Sequence, residues 1–258
     1  MHTSFKKSKV FAFLALFILT ISFTIPVVFF HGALNNIHNN KEVSAISTTI
    51  WNLYSLNKYV STNTPKEASN DLTKMIESAS EIGAASLPIW SVSLEAPNYP
   101  KEAFPMGIPV YFHFDGFTGE VHEMNTINHY IGMDPMWRGG QFEREIAPYA
   151  LLSLCLIMIL FIAYNKKIFS YFMFIPVSLP FLFIADYAYW LYWFGHNLHD
   201  WGAFNIKPFM PTVFGDGKVA QFITHSYPGI GFYLLVAISL LSLLAILSRN
   251  KAIKESSL

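Results

Sequence analysis

Lys166-Lys167 and the run that follows, Ile168–Phe194 (IFSYFMFIPVSLPFLFIADYAYWLYWF), decide the fold. The run is 27 residues long and holds one charge, Asp186. A helix rising about 1.5 Å per residue needs ~20 apolar residues to cross roughly 30 Å of hydrocarbon, so this segment is long enough to span a bilayer. Val10–Phe30 (21 residues), Ala147–Tyr164 (18) and Gly229–Leu247 (19) read the same way, all without a charge. Only helix is expected inside them, because lipid offers no partner for open backbone groups. Composition agrees. Of 258 residues, 53% are hydrophobic and 13% charged, against roughly 25% charged in soluble domains, and the mean hydropathy is +0.36. These values exclude a disordered chain, a coiled coil and an ordinary cytosolic enzyme. The balance of 17 basic and 17 acidic residues excludes a strongly basic nucleic-acid binder. Cys155 stands alone, which excludes an intrachain disulfide framework and covalent haem c on a CxxCH motif.

The basic residues orient the spans. Lys6, Lys7 and Lys9 precede the first, Lys166 and Lys167 join the second to the third, and Arg249, Lys251 and Lys254 follow the fourth. By the positive-inside rule these segments are cytoplasmic. The expected order is transmembrane helix 10–30, extracytoplasmic domain 31–146, transmembrane helices 147–164 and 168–194, extracytoplasmic loop 195–228 and transmembrane helix 229–247. Both termini then lie in the cytoplasm of a bacterial inner membrane, with the large domain periplasmic. The first span exceeds the usual 7–15 residues of a signal-peptide core and lacks a small-x-small cleavage site, so it reads as an uncleaved anchor.

The large outer segment changes period along its length. Lys41–Tyr59 and Lys66–Ile82 carry apolar residues near a 3.6 repeat and read as two amphipathic helices. From Ile89 to Leu94 the repeat is two, as in a strand. Pro109–Phe114 and Gly119–Met124 flank Asp115-Gly-Phe-Thr and are expected to form a hairpin. The fold class is therefore a membrane α-helical protein with four transmembrane helices and an α+β extracytoplasmic domain, two helices plus a small antiparallel sheet.

Three groups of residues invite chemistry. His122, Met124, His129, Met133 and Met136 fall within fifteen positions, and a helical turn over 126–133 would put His129 and Met133 on one face. Imidazole with thioether suits copper, Cu(I) above all. Equally, methionine fills apolar gaps and histidine bonds locally, so a metal site and a packing layer both stay open. His196 and His199 lie where the third span ends, and His225 just before the fourth. Three imidazoles at one depth suit a haem or copper site, or serve as interfacial anchors. Asp186 lies eight residues short of Phe194, roughly 12 Å along the helix. A carboxylate there is costly, about 2.5–3.5 kcal/mol on insertion scales. A hydrogen bond to a neighbouring tyrosine such as Tyr189, and a proton or ligand role, are the two readings; no second ionisable residue falls within the expected spans. No nucleophile elbow, phosphate loop or zincin helix occurs, so no motif supports catalysis.

Four islands in order carry a resemblance: Leu87-Pro-Ile-Trp-Ser-Val-Ser-Leu-Glu-Ala-Pro-Asn-Tyr-Pro100, Asn128-His-Tyr-Ile-Gly-Met133, Gly195-His-Asn-Leu198 and Ser226-Tyr-Pro228. Over roughly residues 87–247 the chain resembles the NosB-like family of small bacterial membrane proteins encoded with clade II nitrous oxide reductases. Matching positions are Trp90, Ala96, Pro97, Tyr99, Pro100, Asn128, His129, Tyr130, Gly132, Met133, Asp186, Trp190, His196, Asn197, Tyr227 and Pro228. Residues 31–86 form a longer insertion, and His122 and His199 have no counterpart. The resemblance implies an accessory role in nitrous oxide respiration. Its partners would be the periplasmic copper reductase with its membrane maturation or electron-transfer proteins, and the work copper supply, maturation or docking. An electron-transfer component with non-covalent haem b or a quinol site, using His196, His199, His225 and Asp186, is the alternative. A structural scaffold without cofactor is the other.

Overall fold

A computed structural model describes residues 3–30, 84–97, 104–200, 202, 206–219 and 221–256. The chain is an integral membrane protein with four candidate spans: Thr3–Phe30, Gln141–Ala163, Ile168–His196 and Ile230–Ser256. We name Thr3–Phe30 α1. It is α-helical to Leu19, then continues in π turns over Thr20–Thr24 and Pro26–Phe30. Pro26 supplies no N–H, and the widened turn keeps its neighbours bonded, Ile25 N–H reaching Thr20 O. The remaining spans are α3 (Gln141–Ala163), the short α4 (Ile168–Phe172) leading into α5 (Phe174–His196), and α6 (Ile230–Ser256).

The four long helices pack side by side in the order α3–α1–α6–α5. The row curves so that α3 and α5 approach each other at the sheet end, where Trp190 meets Glu143, without packing closely along their lengths. Polar pins hold the row. Thr24 Oγ1 lies 3.4 Å from Cys155 Sγ between α1 and α3, and Ser239 of α6 donates to Val177 O of α5 at 2.6 Å. At one end Arg249 is fully buried. It donates to Ser8 Oγ (3.1 Å), Tyr164 O (2.7 Å) and Phe161 O (2.8 Å), and its guanidinium lies 3.9 Å over the Phe161 ring. The cation thereby satisfies the last carbonyls of α3, where the helix dipole is negative.

A five-stranded antiparallel sheet covers the other end. Its strands are β1 (Trp90–Glu95), β2 (Ile108–Phe112), β3 (Phe117–Gly119), β4 (Gly215–Val219) and β5 (Phe222–Pro228), in the order β3-β2-β1-β5-β4. Central β1 pairs on both edges, Trp90 opposite Phe112 on one side and Pro228 on the other. The expectation for 195–228 was a loop; instead it supplies two strands, and the sheet is built from both segments.

The hairpin is also shorter than expected. Its turn closes with His113 N–H on Gly116 O, and the second strand ends at Gly119. Gly119 takes φ 90°, and from there the chain enters α2 (Val121–Tyr130) rather than continuing as strand to Met124. Val121, Met124, Ile127 and Ile131 recur at intervals of three and four and are all buried, which is the helical repeat. The helices expected at 41–59 and 66–82 lie outside the described residues.

Candidate functional site

Helix α2 holds the His/Met cluster. Met124, Met133 and Met136 are all buried and share one apolar core with Ile108, Val110, Ile127 and Phe222. Met133 does not continue the helix. Its N–H bonds Asn128 O (2.7 Å) and the Gly132 N–H bonds His129 O (3.0 Å), with Gly132 at φ 84°. This Schellman turn carries Met133 off the face that His129 occupies, so the expected i, i+4 pair does not form. His122 sits seven residues before His129, about 10 Å of helix rise away. Its Nδ1 is buried without a partner among the described residues, and burial lowers its pKa. The three thioethers thus pack as core, and the two imidazoles stand at opposite ends of the helix. Among the described residues, no three His, Cys, Asp or Glu side chains gather around one point.

The turn after α2 binds the segment between α5 and α6 instead. His199 N–H donates to Gly132 O at 2.8 Å, and His199 Nε2 lies 3.2 Å from Asp134, whose other oxygen holds Arg138 at 2.9 Å. Asn125 Oδ1 accepts from the Met136 N–H at 2.8 Å. The other two imidazoles have separate partners. Helix α5 stops at His196, which stacks on Tyr192 at 3.8 Å and bonds its carbonyl. His225 stands on β5 between Asp216 (2.7 Å) and Glu95 (3.1 Å), and the Asp216 hydrogen bond raises its pKa. The three are not brought together as one haem or copper site.

Trp90 is the hub that the sequence singled out only by resemblance. Its indole is fully buried and surrounded by the rings of Phe183, Tyr187, Phe214 and Phe232. The Nε1–H donates to Ser226 Oγ (2.8 Å); the Tyr187 hydroxyl is 3.2 Å from the same oxygen, which donates to Val213 O (2.8 Å). Nearby, Asp115 accepts from the Ala85 and Ser86 N–H groups and from the Ser86 hydroxyl. His113 is bonded at both nitrogens, Nδ1 to Ser86 O (2.7 Å) and Nε2 to Thr118 Oγ1 (2.8 Å), and burial lowers its pKa. A carbonyl only accepts, so Nδ1 carries a proton, while the Thr118 hydroxyl can serve Nε2 as donor or acceptor.

Asp186 has a partner that the expected span boundaries hid. Helix α3 begins at Gln141, six residues before the uncharged run, and its first turn places the Glu143 carboxyl within hydrogen-bonding reach of Asp186. Trp190 Nε1 donates to Glu143 Oε1 at 3.4 Å. Tyr189, the expected partner, is exposed. The two carboxyls border a cavity of about 390 Å³, roofed by the sheet and α2 and walled by α3 and α5. No family model, curated protein or solved structure matches the chain.

Proposed function

We propose that this chain is a membrane accessory protein of nitrous oxide respiration, with both termini cytoplasmic and the sheet domain in the periplasm. There it would serve a copper reductase by aiding maturation, copper supply or docking. The observation that supports this reading is the way the four islands of resemblance meet. Trp90 of the first bonds Ser226 of the last, and Gly132 of the second receives the N–H of His199, one residue beyond the third. Residues scattered over some 140 positions thus form one layer on the sheet end of the bundle, a surface suited to a protein partner. Met124, Met133 and Met136 pack in an apolar core, which favours docking or maturation over carriage of the metal.

The test is deletion of the gene in a nitrous-oxide-respiring bacterium, complemented with the full chain. The expected result is reductase polypeptide that accumulates while nitrous oxide reduction falls, restored by complementation. A deletion strain that reduces nitrous oxide at the wild-type rate would overturn the proposal. Copper content of the isolated reductase then separates the roles: depleted copper indicates maturation, full copper with low activity in cells indicates docking or electron delivery.

A further inference from the structure

The cavity beneath the sheet has features that the accessory role does not use. Its volume, about 390 Å³, lies in the range of roughly 300–1,000 Å³ typical of small-molecule pockets. Aromatic rings form much of its wall, among them Phe112, Phe117, Phe183, Trp190 and Phe194. It continues down between α3 and α5, from Glu143 to Leu154 on one side, about 16 Å of helix rise. Along this stretch α3 and α5 do not pack closely on each other, so no tight helix–helix seam closes the cavity between them.

The polar groups on the wall select the head that fits. Both nitrogens of His113 are already bonded. The Arg144 guanidinium is committed to the carbonyls of Gly139 and Trp137 and lies 5.0 Å over the Phe117 ring. The Asn128 amide, Glu143 and Asp186 remain, and of these the two carboxyls are the charged groups. Glu143 Oε2 is buried and no donor among the described residues reaches it. Two carboxyls this close repel an anionic phosphate, and the Glu143 oxygen that lacks a donor calls for a ligand hydroxyl. We propose that this cavity binds a neutral, hydroxyl-bearing amphiphile from the bilayer, its head on Glu143 and Asp186 and its tail between α3 and α5. Quinols and diacylglycerols share that chemistry; phospholipids do not.

The full chain, purified in detergent, is titrated with decylubiquinol, dioctanoylglycerol or dioctanoyl phosphatidic acid, and thermal unfolding is followed. A ligand that binds only the folded state raises the midpoint saturably. The expected result is such a rise with decylubiquinol or dioctanoylglycerol and none with phosphatidic acid; whichever neutral probe acts identifies the head as aromatic or glyceride. Paired substitution Glu143→Gln with Asp186→Asn should weaken binding roughly tenfold or more, as loss of hydrogen bonds to charged groups does. Ala150→Trp, which fills the cavity from α3, should abolish the rise. No rise with either neutral probe, an equal rise with phosphatidic acid, or a rise unchanged in both variants would overturn the proposal. Should Ala150→Trp fail to fold, the carboxyl pair decides.

Discussion

The Trp90 indole nitrogen donates to Ser226 Oγ at 2.8 Å across 136 residues of sequence. That bond lies where β1 and β5 pair, and Tyr187 of α5 meets the same hydroxyl. One serine therefore joins the segment between α1 and α3, the segment between α5 and α6, and a span. The hydroxyl is fully buried, so none of these groups has water as a substitute.

Ser226→Ala is expected to destabilise the protein by about 2–4 kcal/mol. It leaves the Trp90 N–H, the Tyr187 hydroxyl and Val213 O short of a partner, and an unsatisfied buried group costs about 1–3 kcal/mol. Thermal unfolding of the purified protein in detergent reads the change. Ser226→Thr, which keeps the hydroxyl, should lose less. An unchanged midpoint in the alanine variant would show that the hub contributes nothing.

At the opposite end, Arg249→Leu should loosen the end of α3. Phe161 O and Tyr164 O lose charged donors, at about 1.5–3 kcal/mol for such a bond. Arg249→Lys keeps the charge but cannot reproduce the fork that meets two carbonyls and Ser8, so it should fall between. Hydrogen exchange at 158–164 measures it; protection equal to wild type in the leucine variant would refute the capping role.

Much of the fold was legible in the chain, and the exceptions have physical causes. Spans announce themselves because every residue facing lipid must be apolar, as in Ile168–Phe194. Strand β5 did not: Phe222–Pro228 alternates poorly, and its pairing with β1 is set by a partner more than a hundred residues away. The start of helix α2 was hidden because Gly119–Met124 follows a turn signal and suggested the second strand of a hairpin, while Val121, Met124, Ile127 and Ile131 held the helical repeat. Glu143 escaped notice for a simpler reason. A span was taken to begin where charge stops, yet α3 starts a turn and a half earlier and carries the carboxylate beside Asp186. No local pattern signals that meeting, since it depends on how two non-adjacent helices stand.

Gly132→Ala should destabilise the domain even though it adds one methyl group. At φ 84° a side chain is strained, and a Cβ there would collide with His199 O. The turn that seats the segment between α5 and α6 would have to open. Cysteines introduced at Gly132 neighbours Tyr130 and Leu198 offer a readout, because their reactivity in the alanine variant should rise several-fold. Reactivity unchanged by the substitution would mean the close approach is dispensable.

Orientation is open to a direct measurement. With Cys155 replaced by serine, single cysteines at Lys166 and Asp216 should report opposite sides of the membrane to an impermeant maleimide. Labelling of the Asp216 position alone in intact spheroplasts is the expected outcome. Labelling of the Lys166 position alone would invert the topology and remove the periplasmic placement of the sheet.

His225 gives the sheet a pH dependence whose sign follows from its neighbours. Its ring lies between Asp216 on β4 and Glu95 on β1; the Tyr227 hydroxyl also donates to Asp216, at 2.9 Å. The hydrogen bond that His225 donates to Asp216 raises the His225 pKa above its ordinary 6.5, with Glu95 adding to it, and the same bond lowers that of Asp216 below 3.8. A raised histidine stabilises the fold fully below about 6.5, and that contribution disappears as pH climbs through the folded value. A lowered aspartate contributes above about 3.8 and is lost as pH falls through its depressed value. The contact between β4 and β5 should therefore be tightest between those two limits and weaken towards alkaline pH. The cluster is solvent-exposed, so salt should reduce the effect. Titration of the His225 ring signal by NMR checks it. Asp216→Asn should bring the midpoint back towards 6.5, and Glu95→Gln should do so by less. A His225 midpoint that neither variant moves would show that the two carboxylates do not hold the imidazolium.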